Sequence, residues 1–340
     1  MKATDKNKKQ TAKSGKKPSG RALGLRLAAL SAGCLGAGAA ALYTEIMTTA
    51  VARRKSKAMD LLVSKALSDV STEQQTREQS IQTMDSLPSE DAQITSRDGL
   101  VLKGHWVHAE NPKRLVIMAH GWHGGWKSDF GVSAPFYRDS GCEALYIEQR
   151  CHGDSEGKLI GYGIKERFDV LDWLEYARTV KPDLPIYLCG ISMGAATVLM
   201  CAGEPIADRV TAIIADCGYT SPSEIISSSI SGLMGKATDV TVAAINLNCR
   251  LREGFDFDDY TTLKALENDT EIPVFFIHGD DDDFVPCRMS MENYLACRAP
   301  REIMIVHGAQ HGTSYLVDTK TYQTRVLDFF ETWDGRLKQG

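Results

Sequence analysis

From residue 92 onward the chain alternates two kinds of text. Short runs dense in Val, Ile and Leu, with no polar alternation, occupy 115–120, 144–148, 186–190, 210–216, 274–278 and 302–306. Such runs predict strands buried on both faces, as in a parallel sheet. Between them lie stretches with helical spacing that begin near Ser128, Ile164, Ser192, Pro286 and Thr319. Ahead of the first run, residues 93–96 and 100–107 flank Arg97-Asp98-Gly99, which predicts an antiparallel hairpin. The alternation lapses between Cys217 and about Asn268, where Ser- and Gly-containing helical text over 225–249 predicts a small helical cap, about 220–268. The class is therefore α/β: one domain over 91–340, with a mostly parallel central sheet and helices on both faces.

The pattern before residue 91 is different. Residues 27–44 form an uncharged stretch of 18 residues, long enough to predict a transmembrane signal anchor. Residues 45–90 are mostly polar, with Met59, Leu62, Val63, Ala66, Leu67 and Val70 at helical spacing, and predict an amphipathic stalk that ends before Pro88, a spacer that also packs on the domain. Charge separates along the same lines. Residues 1–57 carry 13 Lys/Arg against only Asp5 and Glu45, and nine of those bases lie in a leader over 1–26. The remaining chain has 26 basic and 42 acidic residues, a net of −16, which excludes a nucleic-acid-binding surface built on clustered Lys and Arg.

The positive-inside rule places the leader in the cytoplasm and the domain on the far side of a single-pass membrane segment. Arg53, Arg54, Lys55 and Lys57, beyond the apolar stretch, oppose that orientation. A cleaved signal peptide and a lipid-modified Cys34 are the alternatives, although Ser31 stands where a lipobox has Leu. The nine cysteines follow no ligand spacing and include no Cys-x-x-Cys, so no metal site is predicted. Free thiols in apolar runs suit a reducing compartment, which also argues against an extracytoplasmic domain.

Candidate chemistry begins at Gly190-Ile191-Ser192-Met193-Gly194, a Gly-x-Ser-x-Gly turn between a predicted strand and a predicted helix. Such a turn presents the serine hydroxyl as a nucleophile. A hydroxyl needs a hydrogen-bonded base, itself held by a carboxylate. Asp280-Asp281-Asp282-Asp283 follows the 274–278 run, and the spacing to Val285-Pro286 favours Asp282 over Asp280 as the acid. After the 302–306 run, His311 is preferred to His307 as the base, because it lies in a loop able to fold back over the serine. The backbone N–H groups of Met193 and of Trp122, in His120-Gly121-Trp122-His123-Gly124-Gly125, are the predicted oxyanion donors. A metal at His120 and His123 lacks a completing ligand, and the aspartate run lacks the glycine and distant glutamate of a calcium loop.

With these motifs in order, residues 92–334 resemble the α/β-hydrolase superfamily, most nearly its bacterial membrane-anchored esterase and acylaminoacyl-peptidase-like members. Gln149-Arg150-Cys151-His152-Gly153-Asp154-Ser155-Glu156-Gly157 is similar to the family's Arg-Gly-His-Gly-x-Ser-x-Gly loop, with Cys151 in place of a glycine. Asp216-Cys217-Gly218-Tyr219-Thr220 adds to the likeness. The resemblance implies a serine hydrolase that needs no cofactor and acts on a small-molecule acyl substrate. A carboxylic ester is the leading expectation. A peptidase or amidase, a thioesterase or lipase, and a non-catalytic membrane-tethered binding protein are the alternatives.

Overall fold

A computed structural model describes residues 70–268 and 271–336. Its elements run α1 (Val70–Asp85), β1 (Glu90–Thr95), β2 (Val101–Val107), β3 (Arg114–Ala119), α2 (Trp126–Phe130), α3 (Ala134–Asp139), β4 (Cys142–Ile147), α4 (Glu166–Val180), β5 (Ile186–Ile191) and α5 (Met193–Cys201). They continue with β6 (Ala212–Asp216), α6 (Pro222–Met234), a 3-10 turn (Gly235–Ala237), α7 (Thr238–Glu253), α8 (Thr262–Asn268), β7 (Val274–Gly279), α9 (Cys287–Ala296), β8 (Arg301–Val306), α10 (Ser314–Val317) and α11 (Thr319–Trp333).

The eight strands form one sheet in the order β1-β2-β4-β3-β5-β6-β7-β8. β1 and β2 pair antiparallel, as does β2 with β4; every later pairing is parallel. The predicted hairpin closes where Ser96 N donates to Leu100 O at 2.8 Å, with Gly99 at φ +89°. The central strands carry no polar face because both faces are covered. Along β3, Leu115, Ile117 and Ala119 enter a core with Trp173, Leu174, Val198 and Leu199. Val116 and Met118, pointing the other way, enter a second core with Trp126, Phe130, Tyr137, Phe329 and Phe330. The expected sheet with helices on both faces is what the chain forms.

Two features complete the domain around the sheet. α1 is seated on the domain: Ser80 Oγ donates to Lys127 O at 2.9 Å and accepts from Val132 N at 3.2 Å, and Met84 is buried in the second core. A Cβ on Gly131 would lie 1.9 Å from Ser80 O, so the helix and the α2 turn meet where only glycine fits. The second feature is a C-terminal clamp. Asp334 accepts two bonds from the buried Arg114 guanidinium, at 3.0 and 2.7 Å, and a third from Tyr187 Oη at 3.0 Å. Arg336 donates to the carbonyls of Ala207, Val210 and Thr211.

In the segment expected as a cap the chain forms α6 and α7. Ser221 caps α6, its side chain accepting from Glu224 N, and Gly254 at φ +67° ends α7. Leu266 of α8 belongs to the first core, so this helix is part of the sheet's covering layer rather than the cap. The leader, the anchor and most of the stalk positions lie outside the described residues. Among the described residues no helix is long and apolar enough to cross a membrane.

Candidate active site

The nucleophile elbow is a steric solution. Ser192 connects β5 to α5 at φ 57°, ψ −117°, a conformation that costs an L-residue of order 1–3 kcal/mol. Its N–H is fixed by Asp216 O at 2.8 Å. A Cβ on Gly190 would lie 2.2 Å from Gly194 O, and one on Gly194 would lie 1.9 Å from Ala119 O. Both contacts are with backbone that cannot yield, which is why the flanking residues are glycines.

The structure brings Ser192, Asp282 and His311 together. His311 Nε2 lies 2.9 Å from Ser192 Oγ, and His311 Nδ1 lies 2.7 Å from Asp282 Oδ2. Asp282 is buried, and its Oδ1 accepts from Phe284 N at 2.9 Å and Val285 N at 2.8 Å. Burial opposes its charge, but the His311 and His278 imidazoles and these N–H donors hold the carboxyl below the usual range. Burial also opposes charge on His311. Against it stand the Cys217 sulfur and the Asp282 carboxylate, and the imidazole is held well above its ordinary 6.5. Burial raises the Cys217 thiol, which therefore stays protonated and neutral, so the Asp282 carboxylate is the effective cause.

The rejected neighbours form a second pair. His307 Nδ1 lies 2.8 Å from Asp280 Oδ2, and Asp280 Oδ1 accepts from Gly308 N. The loops after β7 and β8 thus carry two Asp–His pairs: an outer one with a solvent-exposed His307 and an inner one against Ser192.

The loop with the predicted oxyanion donors abuts the elbow. A Cβ on Gly121 would lie 3.3 Å from Ser192 Cβ. Met193 opens α5, so its N–H has no acceptor within the helix. Trp122 stacks on Phe284, whose ring packs edge-on against His311 at 5.0 Å. Three residues outside the predicted set hold this loop. Asp129 Oδ2 accepts from Gly121 N at 2.8 Å and Oδ1 from Gly125 N at 3.3 Å. His152 Nε2 accepts from His123 N at 3.0 Å, steadying a residue at φ +50°. Gln149 N donates to His120 Nε2, and Gln149 Oε1 accepts from Thr197 Oγ1 of α5 at 3.0 Å, which ties the loop to the elbow helix. His152 and Gln149 sit in the segment that carried the family resemblance, the one sequence signal that pointed toward them. Within it Cys151 adopts φ +67°, the left-handed conformation that a glycine there would adopt without strain.

Cys217 lies in the Asp216–Thr220 segment that added to the family likeness, but the sequence assigned it no role. It follows β6 at φ +49°, is buried, and its sulfur lies within 4.8 Å of ligand atoms of Asp282 and His311. No spacing rule links it to them, because β6, β7 and β8 bring the three together only as neighbours in the sheet.

Comparison with known proteins agrees with this architecture. A family model for the alpha/beta hydrolase fold matches residues 114–244. The protein YqkD of Bacillus subtilis (strain 168) is 27% identical over 241 residues, covering 70% of this chain and 78% of that protein. YfhR of Escherichia coli (strain K12) is 21% identical over 72% of this chain and 81% of its own. Among solved structures, the Pyrococcus furiosus esterase Pf2001 superposes with a TM-score of 0.59 at 22% identity, over 74% of this chain and 94% of the esterase. The Pyrococcus horikoshii acylaminoacyl peptidase gives 0.57 at 20% identity, over 75% of this chain and 43% of the peptidase. Sheet order, elbow geometry, family model and structural neighbours converge: this chain has the α/β-hydrolase fold.

Proposed function

We propose that the protein is a serine hydrolase that cleaves carboxylic esters through an acyl-enzyme on Ser192. The observation that carries this reading is the continuous hydrogen-bonded line from Ser192 Oγ through the His311 ring to a buried Asp282, at 2.9 and 2.7 Å. In this mechanism His311 Nε2 takes the serine proton as Oγ attacks the acyl carbon, and Asp282 holds the ring and stabilises its charged form. The N–H groups of Met193 and Trp122 receive the developing oxyanion. The imidazolium then protonates the leaving alkoxide, and water repeats the sequence to free the acid.

The same triad serves ester and amide, and turnover of a short-chain ester set against that of an aminoacyl-anilide separates the two. On a short-chain p-nitrophenyl ester, Ser192→Ala is expected to lower kcat by roughly six orders of magnitude, the scale for removing a triad serine. Turnover by the variant at the wild-type rate overturns the assignment. Failure of folded wild-type protein to react with a fluorophosphonate favours the non-catalytic alternative.

The basic leader and the apolar stretch over 27–44 support a membrane address for the same enzyme. The full chain is then expected to remain with membranes through an alkaline carbonate wash. Recovery in the soluble fraction counts against an anchor, and protease accessibility of the domain in intact cells reports its side.

A further inference from the structure

The inner Asp–His pair has a third member that the proposed hydrolysis does not use. The Cys217 sulfur, an Asp282 oxygen and a His311 nitrogen all lie within 4.8 Å of one another, on three loops that follow adjacent parallel strands. Thiolate, carboxylate and imidazole are the three ligand types that protein zinc sites combine, and three protein ligands with an open fourth position suit this ion. Bonds of about 2.0–2.3 Å in a tetrahedron set ligand atoms about 3.3–3.6 Å apart, so closure from the present spacing asks for little more than about 1 Å. We propose that Cys217, Asp282 and His311 form a site for a thiophilic divalent cation, Zn2+ being the natural member of the class, and that its occupation switches the hydrolase off.

Charge favours the site. Asp282 carries a negative charge with almost no exposure, and a thiolate at Cys217 would add a second. Together they neutralise a divalent ion in a place where an unbalanced charge is costly. Entry lies on the substrate side, where the His311 side chain keeps 22% of its surface exposed. Ser192 Oγ lies 2.9 Å from Nε2 of the same imidazole, so whatever the ring nitrogens bind is felt at the serine.

The chemistry of occupation accounts for the inhibition. The ion forms bonds to sulfur, to one carboxylate oxygen and to one ring nitrogen, and the S–H bond of Cys217 breaks with its proton going to solvent. If Nε2 binds, its lone pair is lost to the metal. If Nδ1 binds, the Nδ1 proton is displaced onto Nε2, which then donates to Ser192 Oγ instead of accepting from it. Either way the ring can no longer take the serine proton; the Cys217 proton leaves with each ion bound, and where His311 is imidazolium one ring proton leaves with it. Chelation reverses both changes. The binding site stands whatever bond Ser192 cleaves; only the inhibition rests on the ester-hydrolase reading.

Two measurements on the full chain decide the matter. In the first, ester turnover is followed against buffered free Zn2+, with each rate taken relative to the same protein freed of metal by EDTA. The wild-type rate should fall and recover on adding EDTA, whereas Cys217→Ala and Cys217→Ser should need at least about tenfold more zinc, since even indirect partners of a metal are worth about 10–100-fold in affinity. Equal sensitivity of wild type and both Cys217 variants overturns the proposal. In the second, Cd2+ is titrated into Ser192→Ala, which has no need of a substrate. A thiolate-to-cadmium charge-transfer absorption should rise and be lost when Cys217→Ala is added to that background. Absence of the band, or its persistence without Cys217, overturns the site even if no ester is ever hydrolysed.

Discussion

Ser192 is held by a backbone that resists it and by two glycines that permit it, and His311 is held by charge. The Asp282 carboxylate keeps the imidazolium form of His311 favoured above the ordinary 6.5. The sign follows directly. Catalysis needs the neutral ring, so kcat/KM is expected to rise with pH along a limb whose midpoint lies above that value and to be lost as pH falls through it. Asp282→Asn removes the charge that favours the imidazolium, so the limb should shift to lower pH while kcat drops by about 10⁴-fold. A limb that stays in place in that variant shows that some other group titrates. At this scale the sequence was informative where chain order carries meaning. His311 was preferred to His307 for its place in the loop and Asp282 to Asp280 for its spacing, and the structure places the other two against each other. The contacts of Cys217, His152 and Asp129 could not be read there, because each arises from loops that the sheet brings together across long stretches of chain.

At the scale of elements, the six core runs were legible because strands covered on both faces have no polar side to interrupt them. The observed strands differ from the runs by one or two residues at an end. α3 and α10, with six and four residues, escaped because neither is long enough to show a helical period. α1 was legible as a helix that packs on the domain, but the residues that seat it were not. Its seating residues, Ser80 and Met84, are four apart and read as an unremarkable polar stretch, and the glycine that receives them lies about fifty residues on. Met84 is 1% exposed and packs into the second core. Met84→Ala is expected to destabilise the protein by about 2–5 kcal/mol, as for other buried large-to-small changes. Thermal or urea unfolding checks this, and an unchanged midpoint would mean that α1 stands free of the domain.

The whole molecule is closed by its far end. Arg114 is 3% exposed at the head of β3, and its charge is balanced by Asp334, just past the last helix. Asp334→Ala leaves that guanidinium buried without its partner, a change that typically costs about 3–5 kcal/mol. Asp334 keeps some exposure, so a loss near the lower figure is expected, read as a reduced urea midpoint with an unchanged slope. A double variant that also replaces Arg114 by Met should recover part of it. Recovery of nothing would show that the pairing with Tyr187, rather than the ion pair, is what matters.

The same clamp bears on how the protein is made. Arg114 and Asp334 are 220 residues apart, and at about 5–20 residues per second a ribosome needs roughly 10–45 s to pass from one to the other. Through that interval the Arg114 guanidinium lacks its Asp334 partner, and within it 119 residues separate Ser192 from His311. A chain that ends before residue 311 lacks the proposed base, whereas one that ends between 311 and 334 holds the proposed triad but not the clamp. On the proposed mechanism only a product cut short of His311 is silenced by chemistry; one cut between His311 and Asp334 is weakened by the missing ion pair.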